Sequence, residues 1–260
     1  MTGMSGVQRA AGLLTRCAVL LTLAALSIQP AAGMGVYWSP RIEGTIIDAI
    51  TKTPVEGVIV TASWIQTGIT GHGQSTVKVS ETVTTANGGY ELPAWGPRVY
   101  SGTMDRDQPV IRFFKPGYIP LIIDNNSAYH PGLEDDTQHK IKVPATLSDG
   151  SAVYWLYEPE EHQVKFGKKK HTFMLEPFKG TDAEYVALLT TDPVSYVDSL
   201  SHLTSGQECE WKDIPRTLVA LHKLRAALEA KNVFPGAIPY VSGVGNQKHC
   251  GDAKEYFKEF

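Results

Sequence analysis

Between residues 40 and 178 the chain consists of short apolar segments separated by Gly, Pro and Asn, and no segment has helical periodicity. The segments are rich in Val, Ile, Thr and aromatic residues, which favour strands. In the segment 75–85 the residues Val77, Val79 and Val83 alternate with polar ones such as Lys78 and Ser80, a pattern typical of a strand buried on one face. About seven short strands without intervening helices predict a mainly β fold, an antiparallel β-sandwich.

The predicted strands follow the apolar segments in chain order. They cover residues 43–50, 56–66, 75–85, 89–95, two strands within 109–123, then 152–158 and 171–178. The polar segment 124–152 is predicted to be a long loop with one short strand near 139–144. Between the third and fourth strands, Asn87, Gly88 and Gly89 predict a hairpin turn, because Asn and Gly tolerate positive φ.

After Pro177 the pattern becomes helical. Thr181 followed by Glu184 forms a capping box, which predicts a helix start. A second helix is expected from Asp192–Pro193, and a third over residues 214–231, ending near Asn232. The apolar stripe of the third helix consists of Leu218, Leu221, Leu224 and Leu228.

The first residues have the features of a secretory signal peptide. Arg9 and Arg16 precede the apolar run Cys17–Ile28, and small residues occupy Ala31 and Gly33. The run is too short for a membrane-spanning helix, which needs roughly 20 residues, although an uncleaved signal anchor is the alternative. The predicted organisation is a signal peptide over 1–33, a sandwich over 36–180 and a helical segment with a tail over 181–260. An exported protein, periplasmic or at the cell surface, is therefore expected, without a transmembrane segment after cleavage.

Charge and cysteine content agree with export. Loss of Arg9 and Arg16 with the signal changes the net charge from −3 to −5, and an acidic surface disfavours nucleic acid as a partner. Cys209 and Cys250 remain as a pair in an oxidising compartment and are predicted to form a disulfide. Two separate buried thiols are the alternative.

Three motifs in order resemble a known family. They are the segment from Gly44 through Asp48 to Val60, then Thr85 with Gly88–Pro93, and finally Lys115–Tyr118. Together they are similar to the carboxypeptidase regulatory-like domain, a transthyretin-like sandwich, over residues 41–123. The resemblance implies the fold. It implies an accessory module more than an activity, and the same general sandwich occurs in starch-binding-like domains. An Asp that the family often has before the turn is absent here, where Ala86 and Asn87 stand.

The sequence lacks the motifs of the common catalytic sites. None of the eight histidines begins an HxxE pair, HExxH is absent, and no G-x-S-x-G motif occurs. Neither remaining cysteine has a CxxC partner. We therefore expect no catalytic residues, no metal site and no cofactor.

Exposed aromatic rings are the remaining candidates for ligand contacts. Trp64 and Trp95 fall near strand ends, and Trp155 lies in a strand where its neighbours face the opposite side. A ring exposed there stacks on the apolar face of a sugar, whereas packing in the core or at a domain interface is the alternative. The expected function is a non-catalytic binding or interaction module whose partner is an envelope protein or a glycan. The alternatives are a carbohydrate-binding module and, next, a hydrolase or hydrolase accessory.

Overall fold

The computed structural model of the protein describes residues 34–68, 73–104, 108–125, 140–146, 152–156, 164–191, 195–205, 208–244 and 248–259. The chain is mainly β, with antiparallel and mixed sheets and short helices, so the predicted mainly β class is confirmed. The predicted signal peptide, most of the loop 124–152 and the predicted start of the second helix lie outside the described residues.

The strands are β1 (Met34–Ser39), β2 (Ile42–Asp48), β3 (Ile59–Thr67), β4 (Gln74–Val83), β5 (Gly89–Leu92), β6 (Trp95–Ser101), β7 (Thr103–Met104), β8 (Val110–Phe114), β9 (Leu121–Ile123), β10 (Lys140–Thr146), β11 (Ala152–Leu156) and β12 (His171–Leu175). The α-helices are α1 (Asp182–Thr190), α2 (Tyr196–Ser199), α3 (Ser201–Thr204), α4 (Pro215–Ala230) and α5 (Ala253–Tyr256). Short 3-10 helices cover Glu210–Asp213, Val241–Gly243, Lys248–Cys250 and Phe257–Glu259.

Two sheets form the body of the β region. One has the strand order β4-β3-β8-β9, with β7 against the end of β3, and the other has the order β12-β2-β5. The pairs β1-β6 and β10-β11 form separate two-stranded ribbons. The expectation of a purely antiparallel arrangement is wrong at one pair, because β12 runs parallel to β2. Parallel pairing is possible because the connection between β2 and β12, from Asp48 to His171, is long.

The two sheets pack face to face around one apolar core, which we call the sandwich core. Tyr90 on β5 and Phe173 on β12 both contact Phe113 on β8, with ring centroids 5.5 and 5.0 Å apart. Buried residues of this core include Ile42, Ile46, Val60, Ala62, Trp64, Val77, Tyr90, Leu92, Trp95, Ile111, Phe113, Ile123, Phe173 and Leu175. Both sheets therefore present a buried inner face.

The outer face of the β4-β3-β8-β9 sheet is buried too. Ile59, Val79 and Phe114 share a second core, the helix-side core, with residues of the helical segment. Phe114 stacks on Tyr196 of α2 with the ring centroids 4.8 Å apart. The expectation that segment 75–85 is buried on one face is wrong, because the helices cover the face that a solvated sheet would expose.

A β-bulge in β4 also changes the predicted alternation. The register with β3 shifts between Thr76 and Lys78, so Val77 is an extra residue in the ladder. Val77 consequently lies in the sandwich core, whereas Val79 lies in the helix-side core. The two valines that the period-two pattern places on one face are on opposite faces.

The helical segment largely follows the sequence prediction. The capping box is present: Thr181 caps α1 and the side chain of Glu184 accepts from the Thr181 backbone N–H. α4 begins at Pro215, and Leu218, Leu221 and Leu228 are buried, whereas Leu224 is partly buried. The second helix is shorter than expected and begins at Tyr196, after Ser195 as its N-cap.

The carboxylate of Glu81 on β4 joins the sheet to the helices. Its oxygens accept from the backbone N–H of Arg216 at 2.9 Å and from the N–H and hydroxyl of Thr217, both at 2.8 Å. Ile214, the N-cap residue of α4, makes no side-chain capping bond. Glu81 therefore supplies from a strand the acceptors that helix N-termini need. The hydroxyl of Thr61 on β3 extends this network to Thr217 at 2.9 Å.

The family-like motif residues contact one another. Gly44 and Tyr90 are directly opposite across β2 and β5, and a Cβ on Gly44 would lie 2.6 Å from the Tyr90 hydroxyl oxygen. Asp48 accepts from the backbone N–H groups of Ile50 and Thr51, each at 2.8 Å, and from the Tyr118 hydroxyl at 3.1 Å. The motifs thus have structural roles in turns and in strand packing.

The turn at Asn87, Gly88 and Gly89 is present, but it does not form a hairpin. β4 and β5 belong to different sheets, so the turn carries the chain from one sheet to the other. The backbone N–H of Ile46 donates to the Gly88 carbonyl at 2.8 Å. Gly88 has φ +74°, and a Cβ there would lie 2.3 Å from the Ile46 carbonyl oxygen. Local strand alternation predicts the turn but not which strand pairs next.

The predicted disulfide between Cys209 and Cys250 is confirmed, with a Cα–Cα distance of 5.5 Å. It closes a loop with a sequence separation of 41, which stabilises the fold by at most about 4 kcal/mol in the chain-entropy model. Beside it, buried Trp211 packs against Tyr256 and Phe257 of the tail. In the described part of the chain no helix has the length and apolar character needed to cross a membrane.

The close approach at Gly88 predicts a specific pair of substitution effects. We expect Gly88→Ala to destabilise the protein by about 2–4 kcal/mol, since positive φ costs roughly 1–2 kcal/mol and overpacking against a carbonyl adds roughly 1–3. Gly57 has nearly the same φ, +75°, with open space around it, so Gly57→Ala should cost only about 1–2 kcal/mol. Urea unfolding measures both. Equal losses would show that contact with Ile46 is unimportant.

The buried hydrogen bonds between Glu81 and the start of α4 predict that the stability of the protein depends on pH. Burial raises the pKa of Glu81 above its ordinary 4.5 despite its hydrogen bonds. Because the folded-state pKa is raised, Glu81 contributes fully to the free energy of unfolding below its unfolded-state pKa. That contribution decreases as pH rises through the folded-state pKa. The free energy of unfolding of the wild type relative to Glu81→Gln should therefore fall as pH rises from the ordinary pKa of 4.5 through the raised folded-state pKa. Glu56→Gln, at an exposed position away from α4, is the control, and a pH-independent wild-type advantage would contradict the prediction.

Candidate functional site

A polar cleft lies where the sheet meets the helical segment. We call it the junction cleft; it has a volume of about 570 Å³. Its lining comes from β3, β4, β6 and the segment 208–213, and consists of Gln66, Ser75, Thr76, Val77, Lys78, Val79, Arg98, Tyr100, Glu208, Glu210 and Asp213. A smaller hollow of about 280 Å³ shares Ser75, Thr76, Glu208 and Glu210 with it and reaches His202. Because both parts of the chain line it, the cleft exists only when the helices are docked.

The bulge in β4 shapes the sheet side of the cleft. The hydroxyl of Tyr100 on β6 donates to the carbonyl of the bulged residue Val77 at 2.9 Å. Arg98 Nη1 in turn donates to the Tyr100 hydroxyl oxygen at 3.3 Å. The β1-β6 ribbon is thereby attached beside the edge of β4, and Tyr100 and Arg98 form one rim.

The opposite rim is the segment 208–213, which is fixed in three ways. Cys209 is tied to the tail by the disulfide and has φ +61°. Trp211 is fully buried in the helix-side core. Glu210 is 6% exposed, and its carboxylate accepts from the backbone N–H of Glu208 at 3.0 Å. The side chains of Glu208 and Asp213 remain exposed on this rim.

Charges of opposite sign lie across the cleft without ion pairing. Among the described residues, Asp213 has no ion pair with Lys78 or Arg98 within 4.0 Å. Although Asp213 is exposed to solvent, partial desolvation by the surrounding cleft raises its pKa, and the positive charges of Lys78 and Arg98 oppose that rise. Glu208 is exposed on the same rim. Of the charged residues that line the cleft, three are acidic, namely Glu208, Glu210 and Asp213, and two are basic, namely Lys78 and Arg98.

Two buried polar atoms at the cleft and the adjoining hollow have no hydrogen-bond partner among the described residues. Gln66 is 7% exposed; its Nε2 donates to Ser75 Oγ at 2.9 Å, but its Oε1 accepts nothing. His202 Nε2 is also unpartnered. Burial, with a contribution from the positive charge of Arg112, lowers the pKa of His202 to about 4. His202 is therefore a neutral imidazole at physiological pH.

A buried polar layer around Arg112, which is 3% exposed, lies between the sheet and the helices. Its guanidinium donates to Ser199 and Ser63, each at 2.9 Å, and burial lowers its pKa to about 10. Ser199 itself donates to the Tyr196 carbonyl at 2.6 Å. These hydroxyls are engaged within the interface, so the layer stabilises docking of the helices and offers no accessible nucleophile.

The described residues contain one group of three potential metal ligands, Cys209, His249 and Cys250, whose ligand atoms lie within 4.8 Å of one another. Both sulfur atoms are in the disulfide and are not available as thiolates. The carboxylates of Glu208, Glu210 and Asp213 form no such group in the part of the chain that the structure describes. The junction cleft therefore lacks a preformed metal site among these residues.

The tryptophans chosen from the sequence as ligand contacts do not lie in the cleft. Trp64 and Trp95 are 2% and 9% exposed and pack edge to face with centroids 5.4 Å apart. The expectation that they face a ligand is wrong, because Trp64 is on the inner side of β3 and Trp95 fills the same core. Trp155 lies in β11 opposite Ile141, and its side chain is outside the described part.

A tryptophan not selected from the sequence is the exposed one. Trp38 on β1 is 67% exposed, and Val36 and Val99 are exposed beside it on the β1-β6 ribbon. Alternation in segment 34–39 could have indicated this, since Tyr37 is the residue that turns inward and donates to the Gly102 carbonyl at 2.6 Å. The junction cleft itself had no motif in the sequence, because its residues come from four separate segments.

Comparisons with known proteins identify no relative. No family model matches the chain, and no curated protein matches it. Among solved structures, a 9R-lipoxygenase from Cyanothece PCC8801 aligns at 13% identity with a TM-score of 0.24, covering 78% of this chain. The alignment spans 26% of the lipoxygenase chain. A likeness at this level supports no conclusion about fold or function.

The positions of the tryptophans predict opposite effects on stability. Trp64→Ala should lower the free energy of unfolding by about 3–5 kcal/mol, because it opens a cavity in the sandwich core. Trp38→Ala should change it by no more than about 0.5 kcal/mol, because the ring is exposed. Chemical denaturation of both variants tests this, and a small loss for Trp64→Ala would show that its ring is not part of the core.

Proposed function

We propose that the protein is an exported, non-catalytic binding module of the cell envelope and that it holds its ligand in the junction cleft. The observation that carries this proposal is the cleft itself. It is an accessible cavity with charged side chains of both signs that form no ion pair with one another among the described residues, and it is walled by two parts of the chain that pack on each other. Its volume falls within the roughly 300–1,000 Å³ of small-molecule sites.

Assignment to the carboxypeptidase regulatory-like class is part of the proposal. It is supported by the contacts among the motif residues, in which Gly44 packs under Tyr90 and Asp48 binds Tyr118. It is also supported by the two sheets that share one core. Under this assignment the helical segment is an addition to the sandwich, and it completes the binding site.

Export is proposed from the signal-like residues 1–33 and is supported by the disulfide between Cys209 and Cys250. Disulfides persist in oxidising compartments and are rare in the cytosol. The proposed location is the periplasm or the cell surface.

A non-catalytic role is supported by the chemistry of the described polar groups. The hydroxyls of Ser63 and Ser199 are buried and bound to Arg112. His202, which lines the smaller hollow beside the cleft, is held neutral, with its pKa lowered to about 4, and this is poorly suited to general base catalysis near neutral pH. A hydrolase function would require groups that this cleft does not bring together among the described residues.

Ligand binding at the cleft can be tested by amide NMR of the mature protein. We expect at least one compound from a set of neutral sugars, amino acids, inorganic anions and divalent cations to shift the resonances of Arg98, Tyr100 and Asp213. The same titration should leave Val36 and Trp38 unshifted. If no compound perturbs the cleft, the proposed site is wrong. Turnover of an ester, peptide or glycoside substrate that is abolished by a cleft substitution would contradict the non-catalytic role.

A further inference from the structure

We propose that Cys209, His249 and Cys250 form a zinc site when the disulfide between the two cysteines is reduced. The ligand atoms of these residues, two sulfurs and one imidazole nitrogen, lie within 4.8 Å of one another in the described part of the chain. In the oxidised protein the two sulfurs are bonded to each other, so the site exists only in the dithiol state. It does not depend on what the junction cleft binds.

The three side chains match the coordination chemistry of zinc. Zn²⁺ in proteins is bound tetrahedrally by thiolates at about 2.3 Å and by imidazole nitrogen at about 2.0–2.1 Å. A tetrahedron with these bond lengths separates its ligand atoms by roughly 3.5–3.8 Å. Because the ligand atoms already lie within 4.8 Å of one another, small side-chain movements bring them to that spacing. No carboxylate of the described residues belongs to the group, so we assign the fourth position to water.

Contacts other than the disulfide hold the two cysteines near each other. Trp211 is fully buried and packs on Tyr256 and Phe257, with ring centroids 5.4 and 5.6 Å apart. The Tyr256 hydroxyl donates to the Lys212 carbonyl at 2.8 Å. These contacts join the segment 208–213, which contains the first cysteine, to the tail, which contains the second. Reduction therefore removes the covalent link but leaves the packing that places the two sulfurs side by side.

The group is open to solvent on one side. Cys209 is half-buried and His249 is exposed, whereas Cys250 is buried. A reductant attacks one sulfur of a disulfide, and Cys209 is the member of the pair that solvent reaches. A metal ion has the same route of entry, and the exposed imidazole of His249 borders it.

The change from disulfide to zinc site is a two-electron exchange followed by the release of protons. A dithiol reductant is oxidised to its own disulfide and passes two electrons and two protons to the cysteine pair, which becomes two thiols. Zn²⁺ then binds both sulfurs as thiolates and displaces those two protons, while the imidazole of His249 binds in its neutral form. The metal replaces the disulfide as the link between the segment 208–213 and the tail, so the tail stays attached in either redox state.

The test measures zinc binding to the purified protein in both redox states. The protein is reduced with a phosphine, which is removed under argon, and Zn²⁺ is titrated in competition with a chromophoric chelator. We expect the reduced protein to bind one equivalent of Zn²⁺ at least about 100-fold more tightly than the oxidised protein, because only the reduced protein offers thiolates. Co²⁺ in place of Zn²⁺ should give the absorption bands of a tetrahedral thiolate complex.

His249→Ala gives the sharpest comparison, because it leaves the disulfide of the oxidised protein in place. It should weaken zinc binding by the reduced protein at least about tenfold. His222→Ala, on α4 and outside the group, is the control and should have no effect. Cys209→Ser should abolish tight binding. One equivalent of Zn²⁺ should also raise the melting temperature of the reduced wild type more than that of reduced His249→Ala.

Three results would overturn the zinc site: equal binding in the two redox states, no binding by the reduced protein, and undiminished binding by reduced His249→Ala. Circular dichroism shows whether the reduced protein is folded, and a reduced protein that stays unfolded after zinc is added also contradicts the proposal. Failure of every compound to bind at the junction cleft would leave the zinc site unaffected, since the two experiments have separate readouts.

Discussion

The carboxylate of Glu81 holds the two parts of this molecule together. It accepts hydrogen bonds from two backbone N–H groups and one hydroxyl in the first turn of α4. The N-cap residue of that turn makes no side-chain hydrogen bond. Glu81 on the strand therefore supplies the acceptors for the first turn of α4, and the helix covers the strand. Without this docking, Thr61 and Arg112 on the outer face of the sheet would be exposed to water. The sheet and the helical segment, which contribute Phe114 and Trp211 to the helix-side core, would no longer bury these side chains between them.

The junction cleft is a consequence of that docking together with two local irregularities. The bulge at Val77 makes its carbonyl available to Tyr100, which places the β1-β6 ribbon on one side. The disulfide at Cys209 fixes the segment 208–213 on the other side. Bulges and constrained segments often border functional sites because they direct side chains away from regular ladders. Here the bulged residue Val77 and the segment 208–213 both line the cleft.

Much of the local structure is predictable from the sequence, and the errors have identifiable causes. Most of the strands follow from propensity, the capping box at Thr181 from spacing, and the disulfide from the pair of cysteines, whereas β1, β7 and most of β6 lie outside the predicted strands. Trp64 was wrongly placed at a ligand surface because a strand pattern shows that two faces exist but not what covers each one. The turn at Gly88 was predicted correctly, but it joins two sheets, because a turn motif does not specify the partner of the following strand. Trp38 has no motif that marks it as a ligand contact, but its position next to the inward-facing Tyr37 indicates exposure.

By itself the sequence determined the secondary-structure types, the positions of the turns and the covalent link, because each depends on residues close together in the chain or on chemistry that few residues provide. The tertiary structure decided which faces are buried, which tryptophan is exposed and where a ligand fits. Those properties depend on pairs such as Glu81 and Thr217, which are 136 positions apart, and on a cleft whose walls come from four segments. No local sequence pattern specifies these long-range contacts, because they result from packing two cores on the two faces of one sheet.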